Sequence, residues 1–138
     1  MSRKTARENA YKLIFEYLFN KEENSFSCQV LLSNPNVSKE DVDFTTSLYS
    51  GAVEHFEDIS SRITKYAQGY SFDRIYKPDL AALILATYEM VYTDTPNTVA
   101  ITEALDIVKA YSTDKSSGFV NGILASIYKD LTSEAKND

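Results

Sequence analysis

The sequence predicts an all-α protein, and three observations support this fold class. Apolar side chains recur every three or four residues along most of the chain, which is the period of an amphipathic helix. No stretch shows a strand pattern that competes with this period. With 43% hydrophobic residues and only 4 glycines and 3 prolines, the 138 residues can bury about two-thirds of their unfolded surface. We therefore expect one domain of about seven helices.

The N-terminal part is predicted to contain one long helix and one short one. Helical spacing of apolar residues begins at residue 6 and continues to about residue 20. A polar break follows at residues 20–25, after which residues 26–32 could form a short helix. Residues 33–36, Ser-Asn-Pro-Asn, favour a loop because Pro and Asn are typical of turns.

Residues 38–69 form the longest helical pattern in the chain. Ser38 is a plausible N-cap, with acidic residues after it near the positive end of the helix dipole. Gly69 is a suitable terminator. The stretch is either one long helix or two helices with a break near Gly51 or near residues 57–58.

The C-terminal half is predicted to hold three helices. Pro78 suits a first helical turn, and residues 80–92 are apolar on most sides, so this helix should be central. Residues 95–97 break it, and the next helix includes residues 101–108. The last helix has the cleanest apolar stripe, over residues 120–131. Its capping candidates are Ser112, Asp114 and Ser116.

The charge of the chain is unevenly distributed. A net charge of −6 and a pI near 4.8 argue against nucleic-acid binding through a pervasive basic surface. Residues 1–12, however, carry four cationic side chains against Glu8, a net charge of +3, which leaves −9 on the other 126 residues. This basic segment is either a solubilising turn or part of a binding site.

Nothing in the sequence suggests a membrane protein or a secreted one. The apolar runs are far shorter than the roughly 20 residues of a membrane span, and the N-terminus lacks the apolar core of a signal peptide. The single cysteine, Cys28, cannot form an internal disulfide. We expect a soluble cytoplasmic protein without membrane contact, in which Cys28 fills a small space in the core.

No set of catalytic residues is visible. The chain has one His, one Cys and none of the HExxH, CxxC, GxSxG or Gly-rich phosphate-loop motifs. His55 is expected to be packed or solvent-facing, and the acids at 54, 57 and 58 to form a solvated helix face rather than a metal site. We therefore expect no enzymatic activity, no metal and no cofactor.

Residues 115–124 form an unusual start for an apolar helix. Gly118 and Gly122 each cost roughly 0.5–1 kcal/mol relative to alanine, so close helix contact or access for a ligand should compensate. Phe119 lies at the edge of the apolar stripe. Its ring either widens the core face or stacks on an unpaired base, while basic side chains hold phosphates. The candidate cations are Arg3, Lys4, Arg7 and Lys115, provided that the two segments meet in space.

At these residues the sequence resembles the NusB family of antitermination factors. The matching segments are the N-terminal basic turn, 6–10 (Ala-Arg-Glu-Asn-Ala), 83–89, 95–109 and 119–124 (Phe-Val-Asn-Gly-Ile-Leu). Each is weak alone, but their order and spacing together are specific. The resemblance implies two packed helical bundles, with one half at about residues 1–70 and the other at about 77–132. It also implies binding of boxA-type RNA together with NusE, a small-subunit ribosomal protein, and contact with RNA polymerase through other Nus factors.

The resemblance also assigns roles to individual side chains. The residues that would contact RNA by this resemblance are Arg3, Lys4, Arg7, Phe15 and Phe119. Lys115 and Asn121, in the unusual segment 115–124, are two further candidates for RNA contact. Asp79 matches an acidic position on the NusE-facing surface. The chain departs from the family pattern at Phe15 (usually tyrosine), Ile84 (usually arginine), Thr102 (usually asparagine) and Lys115 (commonly an acid).

Three functions are compatible with these observations. The first is an RNA-binding antitermination factor that promotes transcription of ribosomal RNA operons. The second is a protein-binding helical adaptor that has lost RNA contact, which the negative net charge would suit. The third is the accessory domain of a ribosomal RNA methyltransferase, but 138 residues leave no room for a catalytic domain.

Overall fold

A computed structural model describes residues 3–22 and 38–137 of the chain. Within these ranges there are six α-helices, one short 3-10 helix and no strand, so the all-α prediction is confirmed. The α-helices are α1 (Arg3–Asn20), α2 (Lys39–Glu54), α3 (Phe56–Tyr66), α4 (Lys77–Tyr92), α5 (Asn97–Tyr111) and α6 (Ser116–Asn137). The 3-10 helix spans Phe72–Arg74.

The prediction of about seven helices differs slightly from the six α-helices of the described residues. The short helix expected at residues 26–32, together with Cys28, lies outside the described residues. Helix α1 begins at Arg3, three residues before the start of its apolar pattern. The hydroxyl of Thr45 on α2 donates to the carbonyl of Ala6, which holds α1 and α2 together at this end.

The long pattern over residues 38–69 is two helices, and the break is at His55, between the two expected positions. The Ser38 hydroxyl accepts from the Asp41 amide at 3.1 Å, which confirms the predicted N-cap. Gly51 does not break the helix and lies within α2. The Tyr88 hydroxyl occupies the space that a side chain at residue 51 would need. A Cβ at this position would be only 2.1 Å from that oxygen. Glycine there permits close packing of α2 on α4.

Helix α4 is the centre of the molecule, as its apolar sequence predicts. All residues over 79–87 are buried, and α4 contacts each of the other five described α-helices. Pro78 lies in its first turn as expected. Each fully buried leucine or isoleucine contributes about 1.5–3 kcal/mol. Ile84, which the sequence analysis gave as a departure from the resemblance, is completely buried and belongs to this core.

The described residues include no helix that is both long and apolar enough to cross a membrane.

Candidate nucleic-acid interface

An open groove of about 340 Å³ lies beside the first turn of α4. Three segments form it: the irregular segment after α3, the start of α4, and the junction between α5 and α6. Its most buried lining residues, Ile75, Asp79 and Ser116, form the floor. The exposed side chains around them form the walls and rim. Two residues predicted to contact RNA, Lys115 and Phe119, line this groove with Asp79.

The walls of the groove are aromatic. Tyr70 and Phe119 meet edge to face, with ring centroids 5.7 Å apart and planes at 72°. Tyr70 is 52% exposed and Tyr76 56% exposed, whereas Phe119 is half-buried. Phe119 therefore packs partly on the core and also presents part of its ring to the groove, while its stacking on a base stays a prediction.

The rim is cationic and the floor holds a carboxylate. Arg74 and Lys115 are exposed at the rim. Asp79 is only 5% exposed, and its Oδ1 accepts a 2.5 Å hydrogen bond from the Ser112 hydroxyl. The Ser112 and Ser116 hydroxyls are 2.9 Å apart, so α4, α5 and α6 are connected by hydrogen bonds beneath the groove.

A second depression, of about 210 Å³, also lies at the first turn of α4, where Pro78 lines it. It is lined by Tyr11, Lys12, Phe15, Pro78 and Tyr111. It adjoins the first groove because Pro78 and Asp79 are consecutive. Burial, and then the nearby charge of Asp79, raises the pKa of Tyr11 to about 12, so the Tyr11 hydroxyl stays protonated and donates to the Pro78 carbonyl at 3.0 Å.

The exposed face of α1 carries aromatic and cationic side chains into this depression. Phe15 packs edge to face with Phe19 at 5.0 Å, and Phe19 is 59% exposed. The Lys12 ammonium lies 5.6 Å from the centre of the Tyr111 ring. One turn further towards the N-terminus, Glu8 accepts from the Tyr111 hydroxyl at 3.2 Å.

The remaining N-terminal cations occupy different environments. Lys4 is exposed and pairs with Asp106 on α5 at 3.4 Å, on the same face of α1 as Lys12. The Arg3 guanidinium lies 3.9 Å above the Phe44 ring of α2. Lys12 therefore lines the second depression, and Lys4 lies about two turns away on the same face of α1. Arg3 faces α2 instead.

Arg7 is buried in an ion pair. Its Nε donates to both carboxylate oxygens of Glu89 at 3.0 Å, and the Thr95 hydroxyl donates to the same carboxylate at 3.2 Å. Burial raises the pKa of Glu89, while Arg7 and Thr95 lower it and offset part of that effect. Glu89 lies ten residues beyond Asp79, roughly 15 Å along α4, so Arg7 does not join Phe119 at the groove.

The two glycines of α6 face open space. Among the described residues, no heavy atom lies within 4 Å of the Cβ that a side chain would add at Gly118 or Gly122. The close helix contact that could have explained them is therefore not present within that part of the chain. Asn121 is exposed between them. Thr102 is exposed on α5, and its hydroxyl donates to the Thr98 carbonyl.

Sequence reasoning missed several side chains of this surface. Tyr70, Arg74 and Tyr76 come from the short irregular segment between α3 and α4, where no periodicity predicts which side chains are exposed. Tyr111, at the end of α5, was not singled out either, whereas Lys12 had been counted only as part of the basic segment 1–12. The available signal was compositional, since residues 70–76 hold three aromatic and one cationic side chain in seven positions.

The fold and the groove together define an all-helical binding protein whose exposed site has aromatic walls and a cationic rim. No cluster of three or more potential metal ligands occurs among the residues described here. The profile of the NusB family matches residues 4–129, and the chain belongs to this family.

Comparisons with individual proteins agree with this membership. The chain is 38% identical over 132 residues to the transcription antitermination protein NusB of Clostridium novyi (strain NT), an alignment covering 94% of this chain and 99% of that protein. The structure of T. maritima NusB matches with a TM-score of 0.83 and 32% identity, covering 94% and 92% of the two chains. A crystal structure of the antitermination factors NusB and NusE in complex with dsRNA matches with a TM-score of 0.83 and 28% identity, covering 93% and 96%.

Proposed function

We propose that this chain is a non-enzymatic transcription antitermination factor that binds boxA-type single-stranded RNA together with the ribosomal protein NusE. In this role it promotes transcription of ribosomal RNA operons in the cytoplasm and reaches RNA polymerase through other Nus factors. One observation carries the proposal: in a chain of the NusB family, three aromatic rings and two cations surround one open groove. Relatives named as antitermination proteins, and a related complex that contains NusE and RNA, support it.

The chemistry of the surface suits unpaired RNA. Exposed aromatic rings stack on bases that are free of a duplex, and such stacking contributes about 1–3 kcal/mol per base. Phe119 with Tyr70 offers one such place, and Phe15 another. The cations Arg74 and Lys115 in the first groove and Lys12 in the second depression are positioned to hold the phosphates that connect the stacked bases. A local cationic rim of this kind is compatible with a net charge of −6 for the whole chain.

The other predicted contacts have different parts in this proposal. Arg3, Lys4 and Asn121 add contacts at the periphery, where their side chains are exposed. Arg7 supports the surface indirectly, because its ion pair with Glu89 fixes α1 against α4. Asp79, at the floor of the groove and next to Pro78 of the second depression, is proposed to face NusE. The chain is proposed to be a single domain, since one continuous core includes side chains from both halves.

Fluorescence anisotropy of a labelled boxA-type RNA, titrated with the protein at two salt concentrations, tests the proposal. Three or four phosphate contacts predict a log–log salt slope of about −2 to −3, at roughly −0.7 per contact for single strands. Affinity should rise when NusE from the same organism is added. Phe119→Ala should weaken binding, whereas Tyr92→Ala, at the opposite end of α4, should not.

The second candidate is a protein-binding adaptor on the same fold. It is favoured by the −9 charge of residues 13–138 and by the internal ion pair of Arg7. Association with NusE in the absence of any RNA binding, with NusE present or not, would select this candidate.

A further inference from the structure

We propose that Asp106 on α5 competes with RNA for Lys4, so that the N-terminal basic segment is partly inhibited by the chain itself. This inference rests on the proposed RNA-binding function and specifies what limits the affinity of that surface. Its basis is an ion pair between the two halves of the chain, in which the Lys4 ammonium lies 3.4 Å from the Asp106 carboxylate.

The N-terminal cations are engaged within the fold to different degrees. The Arg7 side chain is only 10% exposed beside Glu89, so it cannot change partner without disturbing the core. Arg3 lies over an aromatic ring of α2 rather than a carboxylate. The side chain of Lys4 is 56% exposed and that of Asp106 38% exposed. Of these contacts, the pair between Lys4 and Asp106 is therefore the one that a phosphate can reach and displace.

The packing of α1 beside α5 keeps the competing carboxylate in place. Lys4 and Glu8 are four residues apart, so they share one face of α1. Glu8 accepts a hydrogen bond from the Tyr111 hydroxyl at 3.2 Å, and Lys4 pairs with Asp106 one turn earlier on the same helix pair. These two contacts align the helices, and Asp106 stays within reach of Lys4 in the free protein.

A carboxylate and an RNA phosphate compete for the same ammonium because both bind it through anionic oxygens. A lysine ammonium has three donors, so a phosphate could join the pair without breaking it. Two anions would then lie a few ångström apart and repel each other. RNA binding at Lys4 therefore either breaks the ion pair or bears this repulsion, and both lower the affinity. Because exposed ion pairs are weak, Asp106 limits binding without preventing it.

Anisotropy of a labelled boxA-type RNA, with NusE present throughout, tests this inference. Asp106→Asn should bind about 2- to 5-fold more tightly than the unaltered protein, the factor that corresponds to one exposed ion pair. The gain should shrink as the salt concentration rises, because salt screens exposed charges. In a Lys4→Ala background the same substitution should give no such gain, because the cation that it releases is absent.

Asp94→Asn is the matched control for the loss of one negative charge, since Asp94 is exposed beyond the end of α4. This variant should bind RNA within a factor of about 1.5 of the unaltered protein, because charges more than a Debye length away are largely screened. Asp106→Ala is a second variant and should reproduce the gain of Asp106→Asn, so the result does not depend on one substitution folding well.

The possible failures are distinguishable. A gain from Asp106→Asn that is no larger than that of Asp94→Asn, or that persists without Lys4, overturns the competition and leaves the RNA-binding function intact. Absence of RNA binding by the unaltered protein and by every variant overturns both. If Asp106→Asn strengthens association with NusE by the same factor when RNA is absent, Asp106 acts on the protein partner and the inference is wrong.

Discussion

Replacement of Arg7 by alanine should destabilise the fold far more than a change at an exposed cation. The substitution leaves Glu89, which is 1% exposed, without its charged partner. Removal of one member of a buried ion pair costs about 3–5 kcal/mol, a large part of the 5–15 kcal/mol that typically stabilises a domain. At an unfolding entropy of about 2.1 cal/mol/K per residue, this corresponds to a fall of roughly 10–17 °C in Tm.

The pH dependence of this loss gives a second, independent prediction. In the unaltered protein burial raises the pKa of Glu89, and Arg7 and Thr95 oppose that rise. Without Arg7 the folded-state pKa should rise further. A raised folded-state pKa contributes stability at low pH that is lost as pH rises through it. The stability difference between Arg7→Ala and the unaltered protein should therefore be smaller at pH 5 than at pH 7.5.

Urea unfolding followed by circular dichroism at both pH values measures these effects. Lys4→Ala is the matched control, because Lys4 forms an exposed ion pair with Asp106, and such pairs contribute about 0–1 kcal/mol. If Arg7→Ala unfolds at nearly the same urea concentration as the control and yet binds RNA more weakly, the reasoning is refuted. Arg7 would then act directly on the RNA.

Three further perturbations have defined outcomes. Gly51→Ala should destabilise the protein by about 1–3 kcal/mol, because the tyrosine hydroxyl on α4 occupies the site of the new methyl group. Gly122→Ala should instead stabilise it by about 0.5–1 kcal/mol, because this position faces open space. Thermal unfolding of both variants measures these differences. Phe119→Ala should reduce RNA affinity by about 1–3 kcal/mol while the protein stays folded. If this variant loses affinity because it is unfolded, the ring belongs to the core instead. A hydrogen bond from Tyr92 lowers the pKa of Asp58, so this contact contributes stability above the ordinary carboxyl pKa that is lost as pH falls through the lowered value. Tyr92→Phe should accordingly be less stable than the unaltered protein at pH 7, and this difference should shrink as the pH falls below the ordinary carboxyl pKa; a difference that does not shrink in acid would contradict this assignment.

Local features of the fold were predictable because their physical causes lie within a few residues. The apolar sequence of α4 requires burial on most sides, and the Ser38 cap needs only an amide three residues later. The break at His55 was not located because the apolar period continues across it. Its position depends instead on how α2 and α3 pack on α4, which no local pattern contains.

The candidate site was predictable only in part. Phe119 and Lys115 stood out because glycines interrupt an apolar helix beside them. The burial of Arg7 could not be read in the same way, since its partner Glu89 is 82 positions away and an isolated arginine is normally exposed. Tyr70 and Tyr76 reach the groove through an irregular segment, where tertiary packing alone decides the direction of each side chain.

Photocrosslinking tests most directly whether the groove beside α4 is the RNA interface. The protein and NusE would be irradiated with a boxA-type RNA that contains 4-thiouridine, and the modified peptides identified by mass spectrometry. The account predicts adducts at Tyr70, Tyr76 or Phe119, with fewer at the second depression near Phe15. Adducts confined to α2 and α3 would contradict it and place the RNA on another face of the molecule.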